Sequence, residues 1–130
     1  MSKRRTYPYD RSGFVAQPTI GFYVTLHGGT RLCSGRALLD TGATISALPA
    51  RILSELEVQP ATVVPVEDAL GFVRDVTAYD VHFTVPEHFS APLRVLSTSS
   101  EEPLIGRDVM DHWRIAFDGP QRQIEVEPVI

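Results

Sequence analysis

The run Ala37-Leu38-Leu39-Asp40-Thr41-Gly42-Ala43-Thr44-Ile45-Ser46 decides how this chain is read. Three apolar residues at the end of a predicted strand deliver a single carboxylate, and the chain then turns on a glycine between small residues. An acid at the end of a buried strand is held rigidly, as a catalytic group must be. Gly42 permits close backbone approach and an unusual φ. The Thr41 hydroxyl can donate and accept a hydrogen bond and so brace the loop. Ala43 leaves space for a ligand. The plain structural reading of the same residues is an Asp in an Asx-type turn after a strand.

Outward from this run the pattern is β-rich. Ile20, Phe22 and Val24 alternate with Gly21, Tyr23 and Thr25, as a half-buried strand requires. His27-Gly28-Gly29-Thr30 is a turn signal, and Arg31 to Leu39 reads as the returning strand. Pro49 can open a short helix at its first position, with Ile52, Leu53 and Leu56 as the apolar face. Val63, Val64 and Val66 form a short apolar run. Val81, Phe83 and Val85 alternate with His82 and Thr84, and Leu93, Val95 and Leu96 suggest a further strand. Ile115 and Phe117, then the turn Asp118-Gly119-Pro120, then Ile124 and Val126, read as a hairpin. Many short strands, one or two short helices and ten prolines indicate an all-β barrel-like or sandwich domain. Residues 1–16 show no clean period and read as a flexible or loosely docked N-terminal arm, leaving 17–130 as the domain.

A second motif follows at Pro103-Leu104-Ile105-Gly106-Arg107-Asp108. With Leu38-Leu39-Asp40-Thr41-Gly42-Ala43 before it, the chain resembles the aspartic peptidases of the retroviral type over roughly residues 17–127. Their signature is an apolar pair followed by Asp-Thr-Gly-Ala, with an apolar pair and Gly-Arg-Asp or Gly-Arg-Asn lying behind that loop. The resemblance implies an all-β, retropepsin-like closed barrel or sandwich monomer with one or two short helices. It makes Asp40 the catalytic carboxylate and Thr41, Gly42 and Ala43 its supporting loop. Leu104, Ile105, Gly106, Arg107 and Asp108 become the segment behind the site, opening a helix over Arg107 to Trp113. It also implies a flap hairpin within Val64 to Tyr79, with Asp68, Ala69, Leu70, Gly71 and Phe72 at its tip. Leu70 and Phe72 read equally well as plain core residues.

The chemistry of that family needs two carboxylates in one site, one ionised to take a proton from water and one protonated to donate to the scissile carbonyl. Like charges at close range resist joint ionisation, so such a pair titrates as a unit. This chain carries one Asp-Thr-Gly, and 130 residues do not hold two lobes. A two-fold dimer that sets Asp40 opposite its symmetry mate supplies the second acid. The expected activity is hydrolysis of an extended peptide or protein substrate. The alternatives are a non-catalytic peptide-binding or dimerisation module on the same fold, and a monomer active only when paired with another protein.

The sequence departs from the viral pattern in three places. Thr44 stands where those enzymes often carry an acid that pairs with the Arg of the second motif, so Arg107 needs another partner or caps the loop. Gly71 is the single glycine of the flap region, where viral flaps are glycine-rich. The N-terminal arm is long, and its Tyr7-Pro8 is an aromatic-proline bond of the kind viral peptidases favour. Self-trimming there is the alternative to a disordered start. At the other end Ile124, Val126, Val129 and Ile130 suit a strand in a dimer sheet.

Composition narrows the remaining classes. A net charge of -4 gives no electrostatic reason to expect nucleic acid or an acidic membrane as partner. The basic cluster Lys3-Arg4-Arg5 reads as a solvated tail. Cys33 is the only cysteine, so there is no intrachain disulfide, redox pair or structural zinc cluster. It lacks a local base that would make it a nucleophile. His27, His82, His88 and His112 show no paired ligand spacing, so neither a metal nor another cofactor is expected. No apolar run approaches the roughly 20 residues of a membrane span. No secretory signal is evident, and the expected location is the cytoplasm.

Overall fold

The computed structural model describes residues 4–27 and 29–128. Strands β2 (Thr19–Thr25) and β3 (Leu32–Leu39) form the first hairpin, in register from Thr19 opposite Leu38 to Thr25 opposite Leu32. After the Asp40 loop come β4 (Ala47–Pro49) and the short helix α1 (Ala50–Glu55). Strands β5 (Thr62–Glu67), β6 (Val73–Val85) and β7 (Phe89–Thr98) follow as a meander. Then β8 (Leu104–Ile105) leads into α2 (Arg107–Met110). The chain ends on the hairpin β9 (Trp113–Asp118) and β10 (Gln123–Pro128), with the early strand β1 (Arg5–Pro8) laid against β10.

The larger sheet has the order β2-β3-β8-β4-β7-β6-β5, and β2 also pairs with β6. That extra pairing, Tyr23 to Thr25 against His82 to Thr84, closes the sheet on itself and removes two edges. Only β5 projects beyond the ring, held by β6 from Thr62 opposite Ala78 to Glu67 opposite Val73. The interior is filled by the alternating residues of each strand: Ile20, Phe22 and Val24, Ala37 and Leu39, Val81, Phe83 and Val85. Phe22 and Phe83 stack with ring centroids 5.2 Å apart. Burial of this kind contributes roughly 25 cal/mol per Å² of apolar surface; Val109, Met110 and Trp113, with Ile124 and Val126 of β10, join the same core.

Several local expectations change on the folded chain. Pro49 is the last residue of β4 and the N-cap of α1, with ψ 142°, and Ala50 begins the helix instead. The helix after Gly106 stops at Met110, and Trp113 opens β9. Val109 and Met110 bury against the core within one turn, after which the indole must reach the β6–β7 corner, where its Nε1 donates to the His88 carbonyl at 2.9 Å.

Within the arm expected to be flexible or loosely docked over residues 1–16, one stretch is paired. Arg5–Pro8 pairs residue for residue with Val126 to Gln123. Asp10 and Gln17 then exchange backbone hydrogen bonds of 2.8 and 2.9 Å. The basic cluster is paired where it is described: Arg4 Nε lies 2.7 Å from Glu125, and Arg5 donates twice to Glu87 at 2.7 and 3.0 Å. Tyr7-Pro8 therefore lies inside a strand, and the Tyr7 hydroxyl meets His88 Nε2 at 2.6 Å. Lys3, Val129, Ile130 and Gly28 of the first turn lie outside the described residues.

Candidate active site

Asp40 sits where β3 ends. Its N–H donates to the Ile105 carbonyl at 2.9 Å, and Leu38 N–H donates to the Pro103 carbonyl at 2.9 Å. Both bonds tie β3 to β8, which is threaded between β3 and β4, parallel to the first and antiparallel to the second. The carboxylate Oδ1 accepts the Gly42 N–H at 2.9 Å, and Ala43 N–H closes back on the Asp40 carbonyl at 3.1 Å. The Asx-type turn is therefore present, and it orients the Asp40 carboxylate. Asp40 and Ala43 are half-buried, while Thr41 and Gly42 are exposed at the loop crest.

The second motif grips this loop from behind. Arg107 N–H donates to the Ala43 carbonyl at 2.9 Å and Asp108 N–H to the Thr44 carbonyl at 3.2 Å. A Cβ on Gly106 would stand 2.8 Å from the Ala43 oxygen and 2.9 Å from the Ile45 carbonyl carbon. Both neighbours are backbone, so only glycine lets the two segments approach this closely. Arg107 has the new partner that Thr44 implied: its Nη2 donates to Thr44 Oγ1 at 2.9 Å. Leu104 and Ile105 supply the β8 pairing, with Ile105 fully buried.

Ser46 is the residue that motif reading passed over. It is fully buried. Its N–H and hydroxyl donate to the two oxygens of Asp108 at 2.9 and 2.7 Å, and its Oγ accepts the Gly106 N–H at 2.9 Å. One carboxylate and one hydroxyl thus bolt the Asp40 loop to the α2 start. A short polar residue inside the otherwise apolar stretch Ile45 to Pro49 was the available signal, since buried hydroxyls need partners.

Between loop and hairpin lies a cleft of about 570 Å³. Its floor includes Gly42, Ala43, Ile45 and Leu104, and Val64, Val66 and Val76 of the β5–β6 ribbon line it from the other side. Asp40 itself does not line it. The ribbon's tip is the expected five residues. Asp68 Oδ1 accepts the N–H groups of Leu70 and Phe72 at 2.9 and 3.0 Å, and Gly71 takes φ +87°. Ala69 lies in the same exposed turn. Leu70 and Phe72 are 82% and 69% exposed, so the reading of them as core residues is set aside. Among the described residues no group of three or more His, Cys, Asp or Glu side chains could hold a metal. None of their helices is long and apolar enough to cross a membrane.

No family model matches this chain, and no curated protein matches it in sequence. Solved structures do match. A retropepsin-like aspartic protease from Rickettsia conorii superposes with a TM-score of 0.66 at 11% identity, covering 98% of this chain and 93% of that one. The EIAV protease, in complex with an inhibitor, superposes with a TM-score of 0.56 at 18% identity, covering 81% and 92%. The chain has a retropepsin-like all-β fold.

Proposed function

We propose that this chain is one half of a homodimeric aspartic endopeptidase, with Asp40 as its catalytic carboxylate. The observation that carries the reading is the Asp40 loop: one acid at the end of a core strand, clamped by the second motif, with its neighbours opening on a cleft of mixed polarity under a hairpin. Two such loops facing across a two-fold axis would bring two Asp40 side chains together. The ionised one takes a proton from a water molecule as its oxygen attacks the scissile carbonyl carbon. The protonated one gives its proton to the carbonyl oxygen. The resulting diol collapses as the leaving nitrogen is protonated, and the C–N bond breaks without a covalent enzyme intermediate. The ribbon would close over an extended substrate, main chain pairing with main chain. The lone cysteine suits a reducing compartment, and the cytoplasm is the proposed location.

The test is digestion of a denatured protein mixture across a pH series, wild type beside Asp40→Asn, with new termini read by mass spectrometry. Cleavage by the wild type alone, with a bell-shaped pH dependence, is the expected result. Equal cleavage by Asp40→Asn sinks the assignment. A dimer that binds peptides and cuts none at any pH is a non-catalytic module on this fold.

A further inference from the structure

The register of the β5–β6 ribbon fixes which of its side chains face the cleft. Ala78 of β6 is fully buried, and by alternation Val76 and Arg74 share its face. Val64 and Val66 of β5 stand opposite them. The wall over the cleft is therefore Val64, Val66, Val76 and Arg74, and each of them borders it. On β7 Leu96 stands opposite Ala78, so Thr98 lies on the same face and borders the cleft as well.

We propose that Arg74 selects an acidic side chain of the peptide in this cleft, so that the substrate class is an extended peptide carrying Glu or Asp among apolar residues. The inference rests on the peptidase reading above and names its substrate. Arg74 makes no hydrogen bond or ion pair among the described residues. Elsewhere Arg31, Arg51 and Arg94 each hold a carboxylate of the chain itself. Arg11, Arg114 and Arg122 hold none, but they lie outside the cleft. Glu67 is the other charged residue on the cleft's border. By the same alternation it falls on the ribbon's opposite face, as does Asp75. Its Oε1 lies 3.8 Å from where a Cβ on Gly71 would stand, toward the tip.

A guanidinium stays charged at every pH at which proteins fold, and its planar fork takes a carboxylate through two parallel N–H donors. A peptide carboxylate seated under the ribbon supplies the partner that the chain itself withholds. Thr98 Oγ1 accepts the Ser100 N–H at 3.1 Å, which leaves its own hydrogen to give to the same carboxylate. The three valines cover apolar side chains of the same peptide. A lysine in the place of the acid would set like charges together, so the site rejects as well as selects.

The test walks Glu, Gln or Lys through each position of an extended apolar peptide and reads kcat/KM by mass spectrometry. At a fixed position the wild type should prefer Glu to Gln by about tenfold, mostly through KM, since the contact forms before the chemical step. That ratio should shrink toward one below a pH of about 4, where the peptide carboxyl takes up a proton. Arg74→Glu should reverse the order, so that Lys outruns Gln and Glu at that position. Arg11→Glu makes the same change of net charge on an exposed residue outside the cleft and should keep the wild-type order. The same peptides are titrated against the Asp40→Asn chain by fluorescence anisotropy, so that selectivity is read apart from catalysis. Cleavage without a preference for Glu, or a preference that Arg74→Glu leaves in place, overturns the role of Arg74 and leaves the peptidase reading standing. Binding that favours Glu only while Arg74 is present, with no cleavage at any pH, sinks the peptidase and keeps the selectivity. A chain that neither cuts nor binds any of these peptides overturns both.

Discussion

Ser46 carries more than its size suggests. Its hydroxyl donates to Asp108 and accepts from Gly106, so Ser46→Ala would leave a buried amide without an acceptor and a half-buried carboxylate short of a donor. That loss should cost about 1–3 kcal/mol in denaturant unfolding, and turnover should fall because the Asp40 loop loses its brace. Gly106→Ala should do similar harm, about 1–3 kcal/mol, because its methyl would press on backbone that cannot turn aside. Thr44→Val removes only the exposed Arg107 contact and should change stability by less than about 1 kcal/mol. Asp40, Gly106 and Arg107 were legible as a pair of motifs. Ser46 was not, because a serine in an apolar run carries no mark of the carboxylate 62 positions away that it binds.

The β5–β6 ribbon stands apart from the closed ring, and β5 buries little along its length. Its turn is built by two residues. Asp68 takes two amides and Gly71 takes a backbone conformation that L residues adopt at a cost of about 1–2 kcal/mol. Gly71→Ala and Asp68→Ala should therefore speed hydrogen exchange of amides over residues 62–76, with little change in the global melting temperature. In the proposed enzyme both should lower turnover more than stability. Unchanged exchange in the ribbon would show that the tip does not govern it. The viral flap's many glycines have no counterpart here, and the single one falls at the position where the turn requires positive φ.

Besides its ladder with β10, the first strand meets the rest of the molecule around His88. Tyr7 of β1 meets His88 Nε2, Arg5 of β1 pairs with Glu87, and Trp113 of β9 packs edge-on against the imidazole. His88 Nδ1 is buried with no hydrogen-bond partner among the described residues. Burial holds the His88 pKa below its ordinary value, and the nearby Arg5 adds to this while Glu87 opposes it. The neutral imidazole is thus favoured by folding. Stability is full above the unfolded value of about 6.5 and is lost as pH falls through the lower folded value. Hydrogen exchange over residues 5–8 should accelerate across that window, and His88→Gln should flatten the response. An exchange rate in β1 that is indifferent to pH, after correction for intrinsic rates, would show that the imidazole does not fasten the strand.

Periodicity and turn residues determined the all-β class and the hairpins of β2 with β3 and of β9 with β10, and the two motifs, through the resemblance they carry, pointed to the Asp40 loop and to a ribbon between them. These are local matters: alternation marks a half-buried strand, and turn residues mark where it reverses. Three things needed the tertiary structure. The closure of β2 on β6 joins residues some sixty positions apart, and nothing local encodes it. The docking of Arg5–Pro8 on β10 brings together the two ends of the chain, and a four-residue strand is too short to show a period. The Ser46–Asp108–Gly106 bolt depends on how β8 threads between β3 and β4, because only there do a buried hydroxyl, a carboxylate and a bare backbone amide meet.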